Sequence, residues 1–329
     1  MMYNSSHFNG KVFLNPVPTE VMLKGSQGKL LRKIFQTNSK RSPNHPLGPF
    51  SVDLNLLNQL PASGVYVTWL GHSSVLLKID GKCLLFDPLW YNRASPFTLM
   101  GPKRFFANPL SIDHLPHIDA LLLSHDHYDH LDKHSVLQLA KKKIPIITML
   151  GVGQRLIKWG IDKAQITELD WWQQTQLDTL TITSAPTRHF SGRWINDRNH
   201  TLWGSFAIKS PGHNVYFGGD SGYYDGFKTI GEKLGPFDFA MLEIGAYGDE
   251  WKSIHMGPEA AVQVSIDLKA KLLMPIHWAT FNLAFHPWSE PIERFIPAAE
   301  KSNVPVLIPK PGVTYNIADG AFNSEWWVK

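Results

Sequence analysis

From Val65 onward, short apolar runs alternate with turn residues. Val65–Leu70, Val75–Ile79 and Cys83–Phe86 read as strands, and Asp80-Gly81 between the last two is a hairpin pair. Ala120–Leu123 is a further strand. Asp132 is placed to cap a helix running to about Lys143, with Val136, Leu137, Leu139 and Ala140 facing inward, and Ile144–Met149 is the strand after it. Strand, helix and strand in that order make a βαβ unit. The second half has the same style. Strands are expected at Leu180–Ala185, Ser205–Lys209, Asn214–Phe217, Phe239–Ile244, Leu272–Ile276 and Val304–Ile308, and helices at Tyr223–Leu234, Pro258–Lys269 and Glu290–Lys301. Two β-rich halves with flanking helices predict an α/β fold, a four-layer α/β/β/α sandwich.

Residues 1–60 lack this rhythm and are rich in proline, so they read as an N-terminal extension packing on a main domain of residues 61–329. Within it, Met22–Arg41 carries Lys24, Lys29, Arg32, Lys33, Lys40 and Arg41 with no acid, and Leu30, Leu31, Ile34 and Phe35 form an apolar stripe. Two readings are open: a weak peripheral membrane contact, or a helix packed on the main domain with a solvated face.

Composition narrows the function. The net charge of +4 over 329 residues gives no expectation of nucleic-acid binding. The one cysteine, Cys83, lies in an apolar run and reads as a buried small hydrophobe, so neither a disulfide nor a cysteine-rich zinc site is available. No signal-peptide pattern opens the sequence and no apolar run is long enough to span a bilayer. The expectation is a cytoplasmic protein, peripheral at most to the inner membrane face.

The chemistry concentrates in Ser124–Asp132, S-H-D-H-Y-D-H-L-D. Imidazoles and carboxylates at this density are metal ligands. In an extended segment His125, His127 and Asp129 share a face, and His130 requires a turn. Three more candidates follow apolar strands: His189, Asp220 and His277. Ligands just past strand ends suit α/β architecture. Gly218, Gly219 and Gly222 around Asp220 permit a tight turn. The assignment is His125, His127 and His189 on one metal, Asp129, His130 and His277 on the other, and Asp220 between them. Each cation lowers the pKa of water, so a hydroxide bridging the pair would form near neutral pH. His45, His114, His117, His134, His200, His213 and His286 have no such partners at useful spacing.

H-x-H-x-D-H followed by spaced His, Asp and His resembles the metallo-β-lactamase superfamily. A closer likeness is to the branch with the N-acylphosphatidylethanolamine-hydrolysing phospholipase D. It is carried by His7-Phe8-x-Gly10, Phe13-x-Asn15-Pro16, Thr68-Trp69-Leu70-Gly71-His72-Ser73, Ile244-Gly245-Ala246-Tyr247, His255-Met256-x-Pro258-Glu259-Ala260 and Ile276-His277-Trp278. The ascorbate-6-phosphate lactonase branch shares the T-W-L-G-H element and the metal motif. The resemblance implies two zinc ions, with manganese or iron as alternatives, and hydrolysis of a phosphodiester in a lipid or other amphiphilic substrate by attack of the bridging hydroxide. Lactone or carboxylic-ester hydrolysis on the same site and di-iron redox chemistry are the alternatives. Asp129 and Asp220 would orient the nucleophile. His255 is either an acid for the leaving group or a core histidine satisfied by Glu259. His72, Tyr128 and Tyr247 are candidate substrate contacts, and Asp87 either holds a ligand histidine or caps the turn at Pro88. Trp278, Phe281, Phe285 and Trp288 are either walls of an acyl-chain groove or core. Two departures from the phospholipase are a shorter N-terminal extension and Glu243 where that enzyme has proline.

Overall fold

The computed structural model describes residues 3–22, 28, 40–97, 99–194 and 196–328. Most of the basic segment 22–41 lies outside the described residues. Among those described, no helix is long and apolar enough to cross a membrane.

The first sheet is built from β1 (Val65–Gly71), β2 (Ser74–Ile79), β3 (Lys82–Phe86), β4 (Ala120–Leu123), β5 (Ile146–Met149) and β6 (Ile166–Leu169). The second contains β7 (Gln174–Leu177), β8 (Leu180–Ala185), β9 (Ser205–Lys209), β10 (Asn214–Phe217), β11 (Phe239–Glu243) and β12 (Leu273–Ile276). Near the C-terminus, β13 (Leu307–Ile308) pairs with β15 (Phe322–Asn323), and β14 (Thr314–Asn316) joins the edge of the first sheet beside β1. The spatial orders are β14-β1-β2-β3-β4-β5-β6 and β12-β11-β10-β9-β8-β7. Each sheet has an antiparallel part and a parallel part. β3 to β6 run parallel, as do β10 to β12. β4 lies inside the parallel part with strands on both sides, and it is uniformly apolar and fully buried.

The β2–β3 hairpin forms as expected. Asp80 and Gly81 both take positive φ, the backbone a two-residue turn of this twist requires. Six helices are described: α1 (Leu54–Asn58), α2 (Lys133–Ala140), α3 (Val152–Lys158), α4 (Gly226–Lys233), α5 (Pro258–Asp267) and α6 (Glu290–Lys301). α2 starts where Asp132 accepts from the backbone N–H groups of His134 and Ser135, each at 3.2 Å. It ends at Ala140, short of the expected Lys143. α4 and α5 are likewise shorter than their apolar patterns suggest. α6 has the expected bounds and buries Ile292, Phe295 and Ala299 on one stripe. Of the run expected from Val304, Leu307–Ile308 form a strand and Val306 makes a single bridge to Leu273.

The two sheets face each other across one core, in which Phe86 of β3 stacks on Phe217 of β10 with ring centroids 4.5 Å apart. This is the α/β sandwich that the strand pattern predicts. The N-terminal residues pack onto it. Phe13 is fully buried, meets Tyr3 and Phe8 in an aromatic cluster, and donates its backbone N–H to Asn199 O at 2.8 Å.

Replacing Phe217 with alanine opens a void between the sheets, and we expect a loss of about 3–5 kcal/mol in unfolding free energy. Chemical denaturation measures it; an unchanged midpoint would contradict the stacked-ring description of the core.

Candidate metal centre

β1, β3 and β4 run in one direction in the first sheet, as do β8, β10 and β12 in the second. Their carboxyl ends carry His72, Asp87, His125, His189, Asp220 and His277 in turn. Three of these residues, His72 (φ 54°), Asp87 (φ 37°) and His277 (φ 63°), sit in the left-handed region immediately past the last strand residue. That conformation is costly for a side chain with a Cβ and turns each one inward from the strand axis. Asp220 is admitted by Gly219, which has φ 56° and whose Cβ would lie 2.8 Å from Gly204 O.

The structure brings the seven predicted residues together. His125 Nε2 and His189 Nε2 lie 2.9 and 3.2 Å from His127 Nδ1. Asp220 Oδ2 stands 3.1 Å from His130 Nε2, 3.3 Å from His277 Nε2, 3.7 Å from His189 Nε2 and 3.8 Å from His125 Nε2. Asp129 Oδ2 lies 3.4 Å from His277 Nε2 and 3.6 Å from His130 Nε2. Three groups able to hold a cation result, each with its ligand atoms within 4.8 Å of one another: His125, His127, His189 and Asp220; His72, Asp129, His130 and His277; and Asp220, Glu243, His255 and His277, which shares one residue with each of the others. Ser124–Asp132 is not extended. It turns at residues 128–130, where His130 and Leu131 donate to His127 O, so Asp129 parts from His125 and His127 and joins His130.

Hydrogen bonds fix which ring nitrogen three of the histidines offer. His130 Nδ1 donates to Asp87 at 2.7 Å. His125 Nδ1 donates to Ser124 Oγ at 2.9 Å, which in turn donates to Asp87 at 2.6 Å. His189 Nδ1 donates to Ile254 O at 2.8 Å. Each leaves its Nε2 atom directed inward. The residues fit a cation pair on this ground: His130 Nε2, His277 Nε2 and Asp220 Oδ1 are buried and make no hydrogen bond in the protein.

The electrostatics divide along the same line. Burial and neighbouring imidazoles hold His125 well below its ordinary value, and burial does the same to His189 despite Asp220. His130 and His277 are also pushed down by burial, but Asp220 and Asp129 outweigh it, raising His130 strongly and His277 to about 10. Burial alone would raise both aspartates. The surrounding imidazoles instead hold Asp129 and Asp220 well below the carboxylate range.

His72 donates Nε2–H to Asp129 at 3.0 Å, and burial with the neighbouring His277 lowers its pKa to about 3. Asp87 does hold a ligand-candidate histidine. His255 corrects an expectation: its partner is Glu243, at 2.7 Å from Nδ1, while Glu259 pairs with Arg294. Its side chain opens into a cavity of about 450 Å³ shared with Tyr247, Arg188 and Arg294. Tyr247 spends its hydroxyl on Glu290 at 2.6 Å and stacks on His286. The Tyr128 ring lies under the Arg193 guanidinium, 3.8 Å from its centroid. Trp278 is core, stacked on Trp69. None of the histidines set aside joins any of the three groups among the described residues.

Three supporting residues escaped sequence reasoning. Glu243 is fully buried under His255 and accepts Ser221 N–H at 2.7 Å; an acid closing an otherwise apolar strand was its signal. Asp126 is buried between the two motif histidines and accepts from Arg155 and from Gly192 N, each at 2.7 Å. Asn15 brackets the backbone of His189, donating to its carbonyl at 2.7 Å and accepting its N–H at 3.0 Å.

Comparison with known proteins identifies the family and the fold. The family model for the beta-lactamase superfamily domain matches residues 82–278. An uncharacterised protein of Mycobacterium tuberculosis is 41% identical over 327 residues, covering 98% of this chain and 87% of that protein. N-acyl-phosphatidylethanolamine-hydrolyzing phospholipase D 1 of Caenorhabditis elegans is 40% identical over 235 residues, or 67% of this chain and 65% of that protein. Among solved structures, Igni18, a metallo hydrolase of Ignicoccus hospitalis, has the same fold, with a TM-score of 0.59 at 22% identity over 77% of this chain and 99% of that one. The chain belongs to the metallo-β-lactamase superfamily of metal-dependent hydrolases.

Proposed function

We propose that the chain is a binuclear zinc hydrolase cleaving a phosphodiester in the manner of a phospholipase D, with an N-acylphosphatidylethanolamine-like or other amphiphilic substrate. One observation carries the reading: the Asp220 carboxylate stands between two ligand groups, with four imidazole Nε2 atoms 3.1–3.8 Å from one oxygen. The sequence likeness to a phospholipase D of that specificity supports the substrate class.

His125, His127 and His189 would hold one ion, and Asp129, His130 and His277 the other, with Asp220 shared. Nitrogen and carboxylate donors without thiolate suit zinc, and also manganese or iron. Bound cations would supply Lewis acidity toward the phosphate oxygens and lower the pKa of water. Asp129 and Asp220 are deprotonated, so each can accept a hydrogen bond from the attacking water and orient it. His72 steers Asp129 by donating to it. His255 is pressed down by burial but raised overall by Glu243, which favours the protonated form that could serve the leaving oxygen.

Purified protein loaded with zinc should hydrolyse N-acylphosphatidylethanolamine or a simple phosphodiester, lose the activity to a chelator and regain it with zinc. Absence of turnover on both substrates would overturn the proposal. Protonation gives a second expectation. At neutral pH His130 and His277 carry protons that a cation must displace, whereas His125 and His189 carry none. The affinity of the second group should therefore rise with pH, by roughly tenfold per unit for each proton released, and that of the first should stay nearly flat. Calorimetric zinc titrations in buffers of different ionisation enthalpy count the protons; equal release at both steps would contradict the division. Asn15→Ala frees the His189 backbone, so zinc affinity at the first group should fall roughly 10–100-fold with the second less affected. Competition against a chromophoric chelator reads this directly.

A further inference from the structure

Four large apolar side chains stand in water on two adjoining loops: Phe97, Leu99 and Met100 at 52%, 85% and 67% exposure, and Trp194 at 59%. Phe97 and Trp194 meet edge to face at 6.5 Å, which makes them one patch. A patch of this kind usually marks a contact with something else.

Both loops are held in place. The first is closed at its neck, where Arg104 N donates to Asn92 O at 2.9 Å, Ala94 N to Pro102 O at 3.1 Å and the Arg93 guanidinium to Gly101 O at 2.5 Å. Beneath it the buried Arg104 side chain donates to Leu89 O at 2.7 Å and Leu70 O at 3.2 Å. The second loop is fastened to the metal motif itself. Arg193 donates to Asp126 O at 2.8 Å and Leu131 O at 2.7 Å, and Phe190 lies against the His127 ring at 4.4 Å. The apolar tips are therefore presented beside the candidate metal centre.

Charge identifies the occupant. Between Asp87 and Asp113 the chain carries Arg93, Lys103 and Arg104 and no acid. In the second loop Arg193 and Arg198 flank Trp194, and the only carboxylate, Asp197, is already paired with Arg155 at 2.8 Å. Arg104 and Arg193 point inward, so the cations exposed on these loops are Lys103 and Arg198. Apolar tips with a tryptophan and exposed cations on the same loops match the headgroup zone of an anionic bilayer.

We propose that Phe97, Leu99, Met100 and Trp194 form a membrane-docking surface that sets the metal centre against an anionic lipid bilayer. The amphiphilic-substrate reading supplies the reason for such a surface, and the proposal rests on it in that respect. The docking residues are Phe97, Leu99, Met100 and Trp194, a different stretch of sequence from the basic segment 22–41.

Sedimentation of the full-length, zinc-loaded protein with phosphatidylcholine vesicles, with and without phosphatidylglycerol, is the test. The protein should bind the anionic vesicles and release as salt rises. Leu99→Ser with Met100→Ser should lower partitioning by about tenfold or more, because two large side chains no longer enter the interface. Lys103→Gln with Arg198→Gln should erase the preference for anionic vesicles. Hydrolysis of a soluble short-chain phosphodiester should be unchanged in Leu99→Ser/Met100→Ser, which shows the variant folded. No vesicle binding by the wild type, or equal binding by that variant, overturns the proposal. So does a dimer in sedimentation equilibrium that the variant dissolves while vesicles stay unbound, since the patch then belongs to a second copy. Vesicle binding by a protein that turns over no phosphodiester would sink the proposed reaction and leave the docking surface standing.

Discussion

Asp87 is wholly buried past the end of β3, and its carboxylate accepts Ser124 N–H at 2.8 Å, Ser124 Oγ–H and His130 Nδ1–H. Burying a charge in an apolar sandwich is expensive unless its lone pairs are filled, and here burial does raise the Asp87 pKa against those partners. What the fold gains is direction. One carboxylate sets the ring orientation of His130 directly and of His125 through Ser124, so histidines assigned to different cations share one anchor. Loss of that anchor would let both imidazoles rotate or change tautomer, and the lone pairs around Asp220 would no longer converge.

The same site depends on how strands end. His72, Asp87 and His277 each follow a strand directly and take a left-handed conformation that a residue with a Cβ adopts only when its surroundings compel it. Backbone contacts compel it here. His277 N donates to His72 O at 3.0 Å, and His72 N donates to Thr280 Oγ1 at 2.6 Å, so two strand ends from opposite sheets are tied to each other. The sheets are locked by their apolar faces, and that rigidity is passed to the side chains through one residue of turn.

Much of this was legible in the sequence because it rests on local pattern. The uniformly apolar Ala120–Leu123 announces a covered parallel strand, Asp80-Gly81 announces its hairpin, and H-x-H-x-D-H announces ligands at fixed spacing. What the sequence concealed is contact between distant residues. Spacing within Ser124–Asp132 requires a turn at His130 and gives Asp129 and His130 to a second cation, but the hydrogen bonds to His127 O start that turn earlier, so Asp129 already leaves the face of His125 and His127. His255 was matched to Glu259, a near neighbour, whereas its partner Glu243 arrives from the end of β11. β6 and β7 are too polar and short for periodicity to announce, and only pairing with neighbours defines them.

Asn15 holds the backbone of His189 across 174 positions of sequence. During synthesis the N-terminal segment leaves the ribosome long before its partner exists, so it must wait, unpaired, until the second sheet has been made. Contacts that close so long a loop come late and slowly. The segment around Asn15 is thus among the last to settle, and the metal group it braces becomes complete only once the second sheet has formed.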